Sequence, residues 1–131
     1  MIQKNYNRQA VTAALVSFAL ADVADGAAQA AVKLPGGAIV VGGFLVVDEA
    51  FNAATTATAK VGDSLDDDRY SASPLDLATV GVKQLTITGY QTAKAGDVTV
   101  KYAFTGAAAT TGKARLFLQY IEVSKSEWTQ D

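Results

Sequence analysis

The clearest structural signal in the chain is the stretch DVTVKYAFT at residues 97–105. Val98, Val100, Tyr102 and Phe104 fall on one side of an extended backbone, and threonine, lysine and alanine lie between them. Alternation of apolar and polar residues is typical of a β-strand with one buried face. The stretch therefore predicts a sheet that packs one face against a core.

Two other stretches are apolar at nearly every position, AIVVGGFLVV at residues 38–47 and ARLFLQYIEV at residues 114–123. Residues 38–47 are predicted to form a central strand buried between two layers. The Gly42-Gly43 pair inside this run predicts a bulge or a sharp bend. Residues 114–123 are predicted to lie either in the middle of a sheet or under a partner.

Shorter extended segments and turns fill most of the remaining chain. Strands are predicted near residues 10–18, 27–33, 55–62 and 83–88, and LPGG at residues 34–37 predicts a tight turn. The longest irregular stretch is 63–80, within which residues 75–79 predict a short helix ended by Gly81. Seven or eight short strands separated by turns predict an all-β sandwich or barrel.

The length of 131 residues predicts one domain, because single domains most often hold about 100–150 residues. The first eight residues, MIQKNYNR, are polar and predict an N-terminal arm at residues 1–8. The patterned sequence follows directly. Residues 9–131 are therefore predicted to form a single β-sandwich domain.

Two residue types that carry much enzyme chemistry, cysteine and histidine, do not occur in the chain. Without cysteine there is no disulfide, no zinc-thiolate site and no cysteine nucleophile. Histidine is the usual general base near neutral pH and the commonest metal ligand. The sequence therefore predicts a protein that is not an enzyme and needs no cofactor.

Charge and hydropathy argue against two classes of partner. Eleven basic and thirteen acidic residues give a formal net charge of −2, and the basic residues are scattered singly, so no nucleic acid partner is expected. The apolar runs are far shorter than the about 18 residues that cross a bilayer, so no membrane partner is expected. The N-terminus lacks the apolar core of a signal peptide, which predicts synthesis in a cytoplasm.

One charge cluster stands out, formed by Asp63, Asp66, Asp67 and Asp68 with Arg69. Loop carboxylates can bind Ca²⁺, which takes about six to eight oxygen ligands, but the spacing does not match an EF-hand loop. Adjacent loop residues also rarely provide the two opposed carboxyl groups of a glycosidase. The favoured interpretation is a solvated loop in which Arg69 pairs with a neighbouring aspartate and others cap the short helix. No metal site is predicted.

A series of turn and strand-end motifs runs through roughly residues 27–123. It comprises VKLPGGAIVVGG at 32–43, VV at 46–47, AFN at 50–52, TAKVGD at 58–63, DRY at 68–70, GDVTV at 96–100, TGKARL at 111–116 and Tyr120. Together these motifs resemble the head decoration (cement) and virion structural proteins of tailed bacteriophages.

The resemblance implies a jelly-roll-like antiparallel β-sandwich of about eight strands with one short helix. It implies a decoration protein, without catalytic residues, that binds the outer surface of an assembled phage head and stabilises it. The partner would be the major capsid protein, and the location would be the capsid exterior of the virion after synthesis in the host cytoplasm. The alternative is a carbohydrate- or ligand-binding β-sandwich module of a virion.

The two strands that are apolar on both faces predict self-association. A lone sandwich needs only one buried face for each strand, and the surplus would otherwise be an exposed patch. Capsids present local three-fold and two-fold sites, which favour partners of matching symmetry. A homotrimer is therefore predicted ahead of a homodimer.

The polar arm supplies most of the candidate contacts with the capsid. Ile2 and Tyr6 could anchor in a groove, while Lys4 and Arg8 meet acidic residues at its rim. Trp128 is the only tryptophan in the chain. It is predicted either to be an interface anchor or to fold back onto its own domain.

Overall fold

The computed structural model describes residues 8–123 and 126–128. Within these residues the chain forms β-strands and one 3-10 turn at Leu20–Asp22. The strands are β1 (Arg8–Gln9), β2 (Thr12–Ala19), β3 (Ala28–Leu34), β4 (Ala38–Glu49), β5 (Thr56–Gly62), β6 (Leu75–Asp76), β7 (Gly81–Gln84), β8 (Gly96–Thr105), β9 (Lys113–Glu122) and β10 (Ser126–Trp128).

Strands β2 to β9 form two four-stranded antiparallel sheets. The first sheet has the order β2-β9-β4-β7 and the second has the order β3-β8-β5-β6. The pairing is nested, because β2 pairs with β9, β3 with β8, β4 with β7 and β5 with β6. A long hairpin rolled up in this way is a jelly roll. The predicted all-β sandwich and its jelly-roll topology are confirmed.

The core lies between the two sheets. Val98, Val100 and Tyr102 of β8 are at most 2% exposed, which confirms the predicted buried side of that strand. On the opposite sheet, Leu116 and Leu118 of β9 are fully buried. Alternation in the sequence therefore marks the strand side that faces the other sheet.

One large core residue comes from a connection instead of a strand. Phe51 lies between β4 and β5 and is fully buried. Its ring centroid is 6.3 Å from that of Phe18 and 5.6 Å from that of Tyr102. Its backbone N–H donates to the carbonyl oxygen of Leu77 at 2.9 Å. Phe51 therefore closes one end of the core and ties the irregular segment after β5 to it.

The helix predicted at residues 75–79 is wrong. Leu75–Asp76 is strand β6, which pairs with β5 at the edge of the second sheet. The Asp76 carboxylate then accepts hydrogen bonds from the N–H of Ala78 at 2.9 Å and from the hydroxyl of Thr79 at 2.7 Å. An aspartate that binds the N–H two residues on favours a turn over a helix. No helix in the described ranges is long and apolar enough to cross a membrane.

Strand β4 has the central position predicted for it, between β9 and β7. Its register against β9 shifts between Val40 and Gly42, so the predicted bulge at the glycine pair is confirmed. The prediction that β4 is buried between two layers is wrong. Leu45 and Val47 are fully buried against the second sheet, whereas Phe44 points the other way and is only half-buried.

Candidate interaction surface

The outer side of the first sheet carries apolar residues from all four strands. We call this side the apolar face. Its members are half-buried or exposed, and Leu15 and Val82 at its two edges are 52% and 56% exposed. The apolar face comprises Leu15 on β2, Phe117 and Ile121 on β9, Ile39, Phe44 and Val46 on β4, and Val82 on β7.

A stacked aromatic pair forms the centre of the apolar face. The rings of Phe44 and Phe117 lie 5.1 Å apart at an interplanar angle of 29°. Leu15 is the register partner of Phe117 on the other side, so these three residues form one row across the strands. Val46 and Val82 are partners in the next row. Cross-strand partners contact each other on the same face, so these five residues form a contiguous patch, and the Gly42–Gln119 pair separates it from Ile39 and Ile121.

The apolar face is a candidate contact surface, because an apolar patch on the outside of a chain often has a function. An ion pair closes one end of the face, where Arg115 Nε and Nη2 donate to the Asp48 carboxylate at 2.9 and 3.0 Å. These charges are satisfied within the chain and require no complement from a partner.

The outer side of the second sheet is polar. The hydroxyl groups of Thr56 and Thr105 form a 2.6 Å hydrogen bond across β5 and β8. Lys60 and Lys101 both approach the carboxylate of Asp67, at 3.9 and 3.1 Å. The sandwich therefore has one side suited to water and one side suited to a protein partner.

Sequence reasoning predicted self-association through the strands at residues 38–47 and 114–123 but did not single out any residue of the apolar face. The signal was present in the runs at residues 38–47 and 114–123, which have apolar residues on both sides. Those runs do not show which side meets the other sheet, so Phe44 and Phe117 were indistinguishable from core residues. Leu15 and Val82 lie in strands that gave no such signal.

The predicted acidic cluster divides into two parts in the structure. Asp63 accepts hydrogen bonds from Arg69 Nε at 2.6 Å and from the backbone N–H groups of Leu65 and Asp66 at 3.0 and 2.9 Å. The guanidinium carbon of Arg69 also lies 3.6 Å from the centroid of the Tyr90 ring. The predicted pairing of Arg69 with a nearby aspartate is confirmed, but the helix that other aspartates were predicted to cap does not form.

The other three aspartates lie close together. Asp66, Asp67 and Asp68 each place one carboxylate oxygen within 4.8 Å of the others. Asp67 already accepts a hydrogen bond from Lys101 at 3.1 Å. The hydrogen bond that Asp68 shares with Asp66, together with the nearby negative charges, raises the pKa of Asp68. Exposed acidic groups are common without a cation, and the predicted absence of a metal site stays a prediction.

We expect Asp63 to make the stability of the protein sensitive to acid. Burial alone would raise the pKa of Asp63, but the hydrogen bonds from Arg69, Asp66 and Leu65 hold it below its ordinary value of 3.8. Ionised Asp63 therefore stabilises the folded protein. Its contribution is complete when the pH is above the ordinary pKa of 3.8, and it is lost as the pH falls through the lowered pKa of Asp63 in the folded protein. Asp63→Asn should lower the free energy of unfolding at neutral pH by about 2 kcal/mol. The free energy of unfolding of this variant should then fall less in acid than that of the wild type.

Urea denaturation at a series of pH values measures this effect. Asp97→Asn, at an exposed aspartate on β8, is the matched control and should behave like the wild type. The prediction fails if the wild type and Asp63→Asn lose stability equally as the pH falls below 3.8.

A cleft of about 200 Å³ lies beside the acidic loop. Leu34, Leu65, Tyr70 and Tyr90 are among its lining residues. The guanidinium group of Arg69 covers one face of the Tyr90 ring, so that face cannot stack on a sugar. The alternative prediction of a carbohydrate-binding module gains no support from this cleft.

The predicted capsid contacts are only partly described. Ile2, Lys4 and Tyr6 lie outside the described residues. Arg8 and Trp128, predicted separately at the two ends of the chain, are register partners in the antiparallel pair of β1 and β10. The chain therefore enters β1 and leaves β10 at the same end of this pair. The capsid-contact role of all five residues stays a prediction.

The described residues define a class of protein by their architecture. They form a two-layer jelly roll with one apolar outer face, one polar outer face and four ion pairs among the described residues. A surface of this kind binds by shape and apolar contact over a wide area. Such an architecture is suited to a binding or assembly protein.

Chains of phage capsids are among the solved structures to which this chain is similar. The chain is similar to a chain of the cyanophage Pam1 capsid asymmetric unit, with a TM-score of 0.66 and 26% identity over 92% of this chain and 90% of that one. It is also similar to a chain of the Ralstonia phage GP4 capsid, with a TM-score of 0.59 and 25% identity over 95% and 92% of the two chains.

A third similarity shows the fold alone. A chain of the acid-stable capsid of Helicobacter pylori bacteriophage KHP30 has a TM-score of 0.68 and 20% identity over 90% of this chain and 91% of that one. No protein-family model matches the chain, and no curated protein matches it in sequence. The structural similarities support a phage virion structural protein with a non-enzymatic role and a location in the virion.

Proposed function

We propose that this protein is a decoration, or cement, protein that binds the outer surface of an assembled phage head and stabilises it. The observation that carries the proposal is the similarity of at least nine-tenths of the chain to chains of the Pam1 and GP4 phage capsids. The apolar face supports it, because a chain that displays such a patch functions in contact with another protein.

The mechanism is linkage between binding and the stability of the shell. A protein that binds the assembled shell and not the free subunits stabilises the shell by mass action. The partner is the major capsid protein, contacted at seams between its subunits. Many copies on one particle add small increments that together resist the pressure of the packaged DNA.

The paired ends of the chain are the proposed site of contact with the capsid. Arg8 and Trp128 lie opposite each other there. The arm that precedes Gln9 could extend about 25 Å, with Ile2 and Tyr6 as apolar anchors.

The protein is proposed to act as a homotrimer ahead of a homodimer. Local three-fold and two-fold positions recur over an icosahedral shell. An oligomer of matching symmetry contacts several capsid subunits at once, which raises its avidity without any new type of contact.

Particles that lack this protein test the proposal. They are expected to release DNA at a lower temperature than complete particles, and added full-length protein should restore the release temperature. Deletion of residues 1–7, which leaves β1 intact, should reduce occupancy about tenfold, the effect of losing about 1.4 kcal/mol of binding free energy.

The control in this experiment is Asp97→Asn, which should occupy particles fully. Equal heat resistance with and without the protein rejects the cement function. Equal occupancy by the full chain and the chain lacking residues 1–7 rejects the arm as a contact and leaves the cement function standing.

A further inference from the structure

We infer that the apolar face is the contact between copies of this chain, and that a second copy covers it before the protein reaches the capsid. The inference rests on the proposed function in one respect, because a decoration protein must stay soluble before it binds the shell. An exposed apolar patch beside an unprotected strand edge favours association of free chains. A second copy is the partner that is always available at that stage.

The apolar face forms only part of this contact. Stable interfaces bury about 1,200–2,000 Å² in total, which is more than the outer sides of two small sheets provide. Residues that flank the face supply the remainder, among them Val41, which is 40% exposed at the bulge of β4. The face is therefore the centre of an interface of ordinary size.

The chemistry of the face also favours a second copy. Interfaces between identical chains are more apolar than other interfaces, and charged residues are depleted from their centres. The centre here is the Phe44–Phe117 stack, and the nearby charges of Asp48 and Arg115 already neutralise each other. The net charge of −2 for each chain adds little repulsion between copies.

The free edge of β2 is an independent observation on the same side of the molecule. Edge strands are normally protected from pairing by short length, by charged residues or by bulges. Strand β7 has four residues and contains Lys83, β6 has two residues, and β3 has a bulge before Val32 and contains Lys33. These three edges are protected.

Strand β2 has none of these protecting features. Its eight residues, TAALVSFA, include no charge and no proline, and its register with β9 is unbroken. Among the described residues, nothing pairs with its other edge. An edge of this kind is tolerated when another chain covers it, and Leu15 joins this edge to the apolar face.

Charged substitutions on the apolar face test the inference. At high micromolar concentration the wild type should have the mass of an oligomer, a multiple of the 13.6 kDa of one chain. Leu15→Lys and Val82→Lys, at positions more than half exposed, should each reduce the mass to that of one chain without changing the far-UV circular dichroism. Light scattering coupled to size-exclusion chromatography measures the mass.

Ala103→Lys is the matched control, because it adds the same charge at an exposed position on the outer side of the second sheet. Its mass should equal that of the wild type. A monomeric wild type overturns the inference, and so does an oligomer whose mass survives both Leu15→Lys and Val82→Lys.

Occupancy on particles separates this inference from the proposed function. A wild type that is monomeric in solution and still decorates particles overturns the inference alone. If it also loses occupancy when Leu15 or Val82 is changed to lysine, the capsid is the partner of the apolar face. An oligomer that the two substitutions dissociate supports the inference, even if the protein is absent from particles and the cement function falls.

Discussion

Phe51→Ala is expected to lower the free energy of unfolding by about 3–5 kcal/mol. The ring of Phe51 is fully buried between Phe18 and Tyr102, and its removal leaves a cavity that the surrounding strands cannot close. The loss is a large part of the about 5–15 kcal/mol that stabilises a typical domain. Urea denaturation at one fixed protein concentration measures it, because self-association would make the apparent stability depend on concentration.

The control for this prediction is Tyr102→Phe. This change keeps the ring that contacts Phe51 and removes a buried hydroxyl that has no hydrogen-bond partner in the described part of the chain. An unpaired buried polar group is unfavourable, so stability should stay the same or rise by about 1 kcal/mol. Equal losses for Phe51→Ala and Tyr102→Phe would contradict the packing role assigned to Phe51.

Gly43→Ala is the second substitution with a large expected effect. A Cβ atom on Gly43 would lie 2.5 Å from the carbonyl oxygen of Phe117 and 2.8 Å from Cδ1 of Leu85. The carbonyl belongs to the backbone of β9, which cannot move away without disturbing the pairing at the centre of the sheet. We expect a loss of about 3 kcal/mol, measured by thermal unfolding.

Gly42→Ala provides the comparison at the adjacent position. The Cβ atom there would meet the Gln119 side-chain oxygen at 2.9 Å, and that flexible side chain can rotate away. The expected loss is below about 1 kcal/mol. Similar losses at Gly42 and Gly43 would show that the general effect of replacing glycine in the bulge, and not the contact with β9, controls stability.

Local patterns in the sequence predicted the features that depend on a few adjacent residues. Alternation at residues 97–105 predicted β8 and its buried side. The LPGG turn was predicted as well, and Gly37 has the positive φ of +81° that such a turn uses. The bulge at Gly42-Gly43 belongs to the same group, because backbone sterics act over one or two residues.

Features that depend on distant residues could not be predicted in this way. The helix expected at residues 75–79 is replaced by a strand because β5 offers an edge for Leu75 and Asp76 to pair with. From the sequence, Phe51 is predicted to lie in a connection between strands. Phe18 and Tyr102 surround it only in the folded chain. The sequence places four aspartates in one cluster. In the folded chain Arg69 binds Asp63, and the other three lie together.

The apolar face shows which structural information the sequence contains and which only the tertiary structure provides. The sequence by itself determined that this chain is an all-β sandwich with more apolar strand surface than one core can bury. Period-two alternation states which residues share a side of a strand, because successive side chains point in opposite directions. Which side turns outward depends on the nested pairing of eight strands, and only the tertiary structure decided that Phe44 and Phe117 face away from the core.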